Sequence, residues 1–225
     1  MRRNRDSDIR MQDKTDQQGQ SNQAANGGVC NVCVYCGSGS GRNPAYAAAA
    51  ETLGLALAAE NLGLVYGGGN IGLMGIIART ARDNGGSVTG IIPSFLSDRE
   101  GMIPDIEELI IVNDMHERKM MMFERADAFV ALPGGVGTLE ELVEQMTWSQ
   151  LGQHRKPVIL ANIEGFWSPF LDLLSHMREE TFIRDGLEVK FEVVDEAREI
   201  VPAIVRACAA IDRDEGEGVV PVDRF

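Results

Sequence analysis

From residue 29 onward, short apolar runs alternate with longer stretches of mixed pattern. The runs are VCNVCVYC (29–36), LGLVYG (62–67), SVTGIIP (87–93), LIIV (109–112), DAFVALP (127–133), KPVILAN (156–162) and, near 191–194, FEVV. Each is short and apolar on alternate and intervening positions alike, as strands buried on both faces are. The intervening stretches carry helix signals. Asn43-Pro44 caps and opens the first helix, and Gly85-Gly86 closes the second. Asp114 caps the helix MHERKMMMFERA, GTLEELVEQMTWSQLG follows the fifth strand, and two more helices start at Ser168-Pro169 and after Asp195. SFLSDREGMIPDIE has no helical period and reads as a long loop. The order predicts an α/β, Rossmann-like domain: a mostly parallel sheet of about seven strands with helices on both faces and right-handed crossovers.

Ligands of such sheets bind at the carboxyl ends of the strands. Three loops lie there, and each begins with glycine: GSGSG (37–41), GGGNIGLMG (67–75) and PGGVGT (133–138). Gly67, Gly69 and Gly72 have the G-x-G-x-x-G spacing of a dinucleotide loop. The acidic residue that would hold a ribose at the end of the next strand is missing, because that strand ends in Ile92-Pro93 and Asp83 comes too early. Close helix–strand packing is the better use of these glycines. PGGVGT lacks the lysine of a triphosphate-binding loop. Gly134, Gly135 and Gly137 do free N–H groups at a helix N-terminus, and Thr138 adds a hydroxyl, which suits one phosphate. The alternative is a plain capping box, Thr138 as cap and Glu141 completing T-x-x-E. Glu140 and Glu141 either complement the helix dipole or act on a sugar next to the bound anion.

Arg118 and Lys119 stand in the first turns of the helix after Asp114, where cations are mildly unfavourable. An anionic ligand or a carboxylate partner would account for them; a solvated charged face is the simpler alternative. Met120, Met121 and Met122 read as core and dimer packing, and His116 as a structural histidine. His154 and His176 have no metal-ligand spacing.

Composition narrows the partners. Of 225 residues, 44% are hydrophobic and 24% charged, ordinary for a globular protein. The net charge of -13 argues against a nucleic-acid surface, and no apolar run is long enough to cross a membrane. Residues 1–27 are too polar to bury a core and have no apolar signal region, so they read as a disordered tail; an organelle transit peptide, normally poor in acids, fits less well. Residues 28–211 form the single nucleotide-binding domain and 212–225 a flexible C-terminal tail. Cys30, Cys33 and Cys36 have an iron–sulfur-like spacing, but a strand sends Cys30 and Cys33 to opposite faces and Cys208 is distant. Thiols in a reducing cytoplasm are expected.

From about Val29 to Ala210 the chain resembles the Lonely Guy (LOG) family, cytokinin riboside 5'-monophosphate phosphoribohydrolases that often carry an old lysine decarboxylase label. The resemblance rests on CVYCGS (33–38), VYGGGNIGLMG (65–75), MHERK (115–119) and ALPGGVGTLEEL (131–142). It implies hydrolysis of the N-glycosidic bond of an adenine-type nucleoside 5'-monophosphate, with no metal and no cofactor. Arg118 and Glu141 match the catalytic pair, with Lys119 beside them as an expected substrate-binding residue. Gly135, Val136, Gly137, Thr138 and Leu139 match the phosphate loop, next to Gly134 and Glu140. Ser38, Gly68, Gly69, Thr147 and, by spacing alone, Glu100 complete the expected nucleotide site. The resemblance also implies a homodimer, with the helix from Thr138 to Leu151 near the interface. Gly39 replaces a common serine and Val136 a common tyrosine. A general AMP nucleosidase and a non-catalytic carrier of the same fold remain alternatives.

Overall fold

The computed structural model describes residues 29–100, 106–184, 186 and 188–216. Seven parallel strands form one sheet: β1 (Asn31–Tyr35), β2 (Gly63–Tyr66), β3 (Val88–Pro93), β4 (Glu108–Val112), β5 (Ala128–Ala131), β6 (Val158–Ala161) and β7 (Glu192–Val194). Their spatial order is β4-β3-β2-β1-β5-β6-β7. The chain therefore winds outward from β1 to one edge, returns to β5, and winds outward to the other. In register, Val32 of β1 pairs with Leu64 of β2 on one side and Ala128 of β5 on the other. The crevice between β1 and β5 is the topological switch point, where such sheets bind ligands.

The helices are α1 (Pro44–Ala59), α2 (Gly72–Asp83), α3 (Ser94–Glu100), α4 (Met115–Arg125), α5 (Val136–Gln150), α6 (Ser168–Glu179) and α7 (Ala197–Gly216). The period-2 alternation of β1 sends Val32 and Val34 to the layer of α1, α2 and α7, and Cys33 and Tyr35 to the layer of α4, α5 and α6. In β5, Val130 faces the first layer and Phe129 the second; both are fully buried. Each such side chain contributes on the order of 1.5–3 kcal/mol through burial. Cys33 and Cys36 fall in opposite core layers, so the C-x2-C-x2-C spacing cannot gather around one cluster.

Local chemistry sets the helix starts. Asn43 Oδ1 accepts from the Ala45 N–H at 3.0 Å with Pro44 in the first position, and Asp114 Oδ1 accepts from His116 and Glu117 N–H, both at 2.9 Å. Two boundaries differ from the sequence reading. Ser94–Glu100 is a helix of seven residues rather than loop, too short to show a period. The last helix runs to Gly216, past the expected domain end at 211. The expected tail 1–27, and 217–225 of the other, lie outside the described residues.

Candidate active site

The loops after β1 and β5 meet at the switch point, where the Gly37 N–H donates to the Pro133 carbonyl at 3.1 Å. The Gly37 carbonyl in turn accepts from Leu73 N–H at 3.0 Å and Met74 N–H at 3.4 Å. These are first-turn donors of α2, the helix opened by the G-x-G-x-x-G loop. That N-terminus is closed by the chain itself, so the glycines serve packing, as the sequence suggested.

The N-terminus of α5 is different. Its cap is Gly135, with no side-chain acceptor, and the first backbone bond is Leu139 N–H to the Gly135 carbonyl at 3.0 Å. The N–H groups of Val136, Gly137 and Thr138 find no acceptor among the described residues. The capping-box alternative is not adopted. Thr138 sits inside the first turn, buried, with its side chain where a Cβ on Gly134 would fall. Gly135, Val136 and Gly137 are exposed around this open helix end.

Glu141, one turn further, is buried and meets Arg118 of α4: Arg118 Nη2 lies 3.5 Å from Glu141 Oε1, and both side chains are about 10% exposed. Arg118 Nη1 is 3.8 Å from Met115 Sδ, and its Nε has no partner among the described residues. A Cβ on Gly67 would occupy the place of Arg118 Nη2. The first glycine of GGGNIG is therefore what lets the arginine reach the cleft. Burial pushes the Glu141 carboxyl up to about 7; Arg118 opposes this, and Glu140 adds to it. Near neutral pH the group can therefore both hold and release a proton.

Lys119 turns to the outer side of α5, with Nζ 2.7 Å from Glu140 Oε1 and 2.8 Å from Glu144 Oε1. Burial alone would lower its pKa, but the hydrogen bonds to the two carboxylates outweigh this and hold it above the usual lysine value. Both cations that looked misplaced in α4 thus have carboxylate partners.

The cleft brings together Ser38, Arg118, Gly137, Thr138, Glu140 and Glu141. Gly134, Gly135 and Val136 flank it, and Leu139 packs inward against the α4–α6 layer. Gly68 packs against Ile91 and Ile92 of β3, and Gly69 is buried beside it; Gly67 lines the cleft instead. Thr147 is exposed, donates to the Val143 carbonyl at 2.7 Å, and stands about 13 Å along α5 from Thr138 at the usual rise. Within one chain it is not part of the cleft. Glu100 closes α3, and its side chain lies outside the described residues. Sequence reasoning missed the apolar wall of Tyr35, Cys36, Met74, Met115 and Met122. One signal was available: Met115 and Met122 stand three before and four after Arg118, on the same helix face.

The fold is that of a Rossmann-like α/β protein, with an uncapped helix end at the switch point and a buried arginine–carboxylate pair behind it. Comparison with known proteins narrows this further. Residues 74–204 match the family model described as "Possible lysine decarboxylase". A probable cytokinin riboside 5'-monophosphate phosphoribohydrolase, LOG4, from Oryza sativa subsp. japonica is 44% identical over 183 residues, 81% of this chain and 80% of its own. The cytokinin riboside 5'-monophosphate phosphoribohydrolase of Rhodococcoides fascians is 44% identical over 175 residues, 77% of this chain and 88% of its own. The Moco carrier protein of Chlamydomonas reinhardtii shares the fold, with a TM-score of 0.61 at 19% identity over 81% of this chain and 99% of its own. The chain belongs to the LOG family of cytokinin riboside 5'-monophosphate phosphoribohydrolases.

Proposed function

We propose that this protein hydrolyses the N-glycosidic bond of N6-modified adenosine 5'-monophosphates, releasing the free base and ribose 5-phosphate. The carrying observation is the buried Arg118–Glu141 pair one turn behind the uncapped start of α5. The names of the relatives from rice and Rhodococcoides support the same chemistry. The 5'-phosphate takes the open N–H groups of Val136, Gly137 and Thr138, where the helix dipole favours an anion. Anchoring that remote group orients the sugar toward Glu141. As the bond from the anomeric carbon to the base nitrogen breaks, positive charge develops on the ribose, and a carboxylate stabilises it. Water adds its hydroxyl at the anomeric carbon and gives a proton to Glu141, while the base leaves with the bonding pair and is protonated from solvent, to which Glu141 returns its proton. Arg118 holds Glu141 in place. Lys119, held charged between two carboxylates, does not offer the neutral amine that a Schiff base requires.

A homodimer belongs to the same proposal. It is supported by apolar side chains left open on the α4–α5 layer: Met120 at 47%, Val143 at 40% and Leu151 at 61% exposure. Sedimentation of the purified chain would report its mass. Among the described residues no helix is long and apolar enough to cross a membrane. A cytoplasmic location is also part of the proposal, in keeping with the buried thiols of Cys33 and Cys36.

Chromatography of the protein incubated with AMP and, separately, N6-isopentenyl-AMP tests the reading. Free base released faster from the prenylated nucleotide is expected. Adenine from AMP alone would make it a general AMP nucleosidase. Binding without release from either would make it a carrier.

A further inference from the structure

We propose that Lys119 is a positioning residue: by bridging Glu140 and Glu144 it fixes α4 against α5 and so holds Arg118 opposite Glu141. The inference rests on the hydrolase reading and assigns a part of its machinery.

Arg118 and Lys119 are neighbours on α4, so their side chains diverge by about 100° around the helix. On α5, Glu140 and Glu144 are one turn apart on one stripe, and Glu141 lies the same angle away from Glu140. Two parallel links therefore join the helices. One is the inner Arg118–Glu141 pair, at 3.5 Å; the other is the outer bridge of Lys119, at 2.7 and 2.8 Å. The inner contact is too long for a tight ion pair, and nothing in it fixes the rotation of α4. The outer bridge is short and two-pronged, and its Glu144 prong is largely removed from water: the Lys119 and Glu144 side chains are 13% and 20% exposed, against 53% for Glu140, and Glu144 Oε2 is buried without a partner among the described residues. An ammonium has three protons to donate, and two are committed here. Lys119 is thus spoken for by the protein before any nucleotide arrives.

The bridge also sets the field at Glu141. The charged groups facing that carboxyl are Arg118 and Lys119 from α4 and Glu140 and Glu144 from α5; Cys33 and Tyr35 face it from β1 and Cys36 from the loop just after it, all kept neutral by burial. Lys119 offsets the two flanking glutamates. Without it, their charge would make Glu141 hold its proton more tightly.

The test is the pH dependence of base release by Lys119→Met, Lys119→Arg and Glu144→Gln. In Lys119→Met, kcat should fall about tenfold or more from lost alignment while KM changes less than about threefold. The limb of the pH–rate profile near 7 should move upward by on the order of one pH unit, as expected for losing one nearby charge. Lys119→Arg should restore most of both. Glu144→Gln should move the limb downward, since it removes negative charge; general loosening of the fold would not reverse sign between the two variants. A Lys119→Met protein with KM raised about tenfold or more, and with kcat and limb unchanged, would make Lys119 a substrate ligand and overturn the inference. Should the wild-type protein release no base, the hydrolase reading fails by itself. The Glu141 titration then remains readable by carbon-13 NMR of glutamate-labelled protein. The same opposite shifts in Lys119→Met and Glu144→Gln would uphold the bridge, and unchanged titration would overturn it.

Discussion

Of the three glycine-rich loops that lead from a strand into a helix, the two that open α2 and α5 contrast: the first helix end is closed by the chain and the second is left open. At α2 the Gly37 carbonyl takes the N–H groups of Leu73 and Met74. At α5 the cap is a bare glycine, and three N–H groups have no acceptor among the described residues. The composition of the loops does not distinguish them; GGGNIG has the more familiar ligand-binding spacing and is the closed one. The difference is position. The open end sits after β5 at the switch point, within reach of a buried arginine, whereas the end of α2 abuts the loop after β1. A glycine loop supplies donors, and the surrounding chain decides whether they remain available.

The largest test removes the chemistry and leaves the open end alone. Glu141→Gln keeps the shape of the side chain but cannot exchange a proton; turnover should fall about 10²–10⁴-fold with nucleotide binding retained. Unchanged turnover, measured by base release, would end the role of Glu141.

The second test concerns stability, because the open end has a buried carboxyl behind it and the closed end does not. The folded-state value of Glu141 is raised from 4.5 to about 7. A raised carboxyl favours the native state in its protonated form. The stabilisation is complete below pH 4.5 and is lost as pH rises through 7, by roughly 3 kcal/mol in all at about 1.4 per pH unit. Urea midpoints of wild type and Glu141→Gln should therefore diverge from pH 5 to pH 8, with the variant gaining relative to wild type. Parallel profiles would mean that the carboxyl is not buried as described.

The third test closes the open end deliberately. Gly135 has extended backbone, and a Cβ there meets nothing within 4 Å, so Gly135→Asp can cap α5. Helix stability should rise by a few tenths of a kcal/mol. KM for the nucleotide should rise about 100-fold, since the new carboxylate both occupies the donors and repels phosphate. A nucleoside lacking the phosphate should be insensitive. Equal effects on nucleotide and nucleoside would place the phosphate elsewhere.

Much of this architecture could be read from the chain, and the limits have physical causes. The seven strands were legible because strands buried on both faces leave continuous apolar runs. The caps at Asn43 and Asp114 were legible because cap chemistry is local, within three residues. Thr138 and Glu141 left a capping box open as an alternative because the T-x-x-E pattern is equally local; here the helix starts three residues earlier, at Gly135, and buries the threonine instead. The partners of Lys119 lie 21 and 25 residues away, on another helix, and no spacing rule reaches them. Gly67 was legible as a packing glycine, but not that the group packed against it is the guanidinium of Arg118.

That contact joins the closed loop to the open one and gives the subtlest test. Gly67→Ala places a methyl where Arg118 Nη2 now lies, next to Met74 Sδ at 3.1 Å. The arginine is flexible and can retreat, so the fold should survive, with Arg118 withdrawn from Glu141. Turnover should fall about tenfold, the scale of a small misplacement of a catalytic group. Phosphate affinity should hardly change, because the α5 donors are untouched. Gly39→Ala is the control: a Cβ there meets nothing within 4 Å, although Gly39 belongs to the neighbouring loop. If both substitutions reduce turnover alike, the effect is general loosening of the loops. If Gly67→Ala alone does so, the closed loop serves the open site through the space it leaves for one guanidinium.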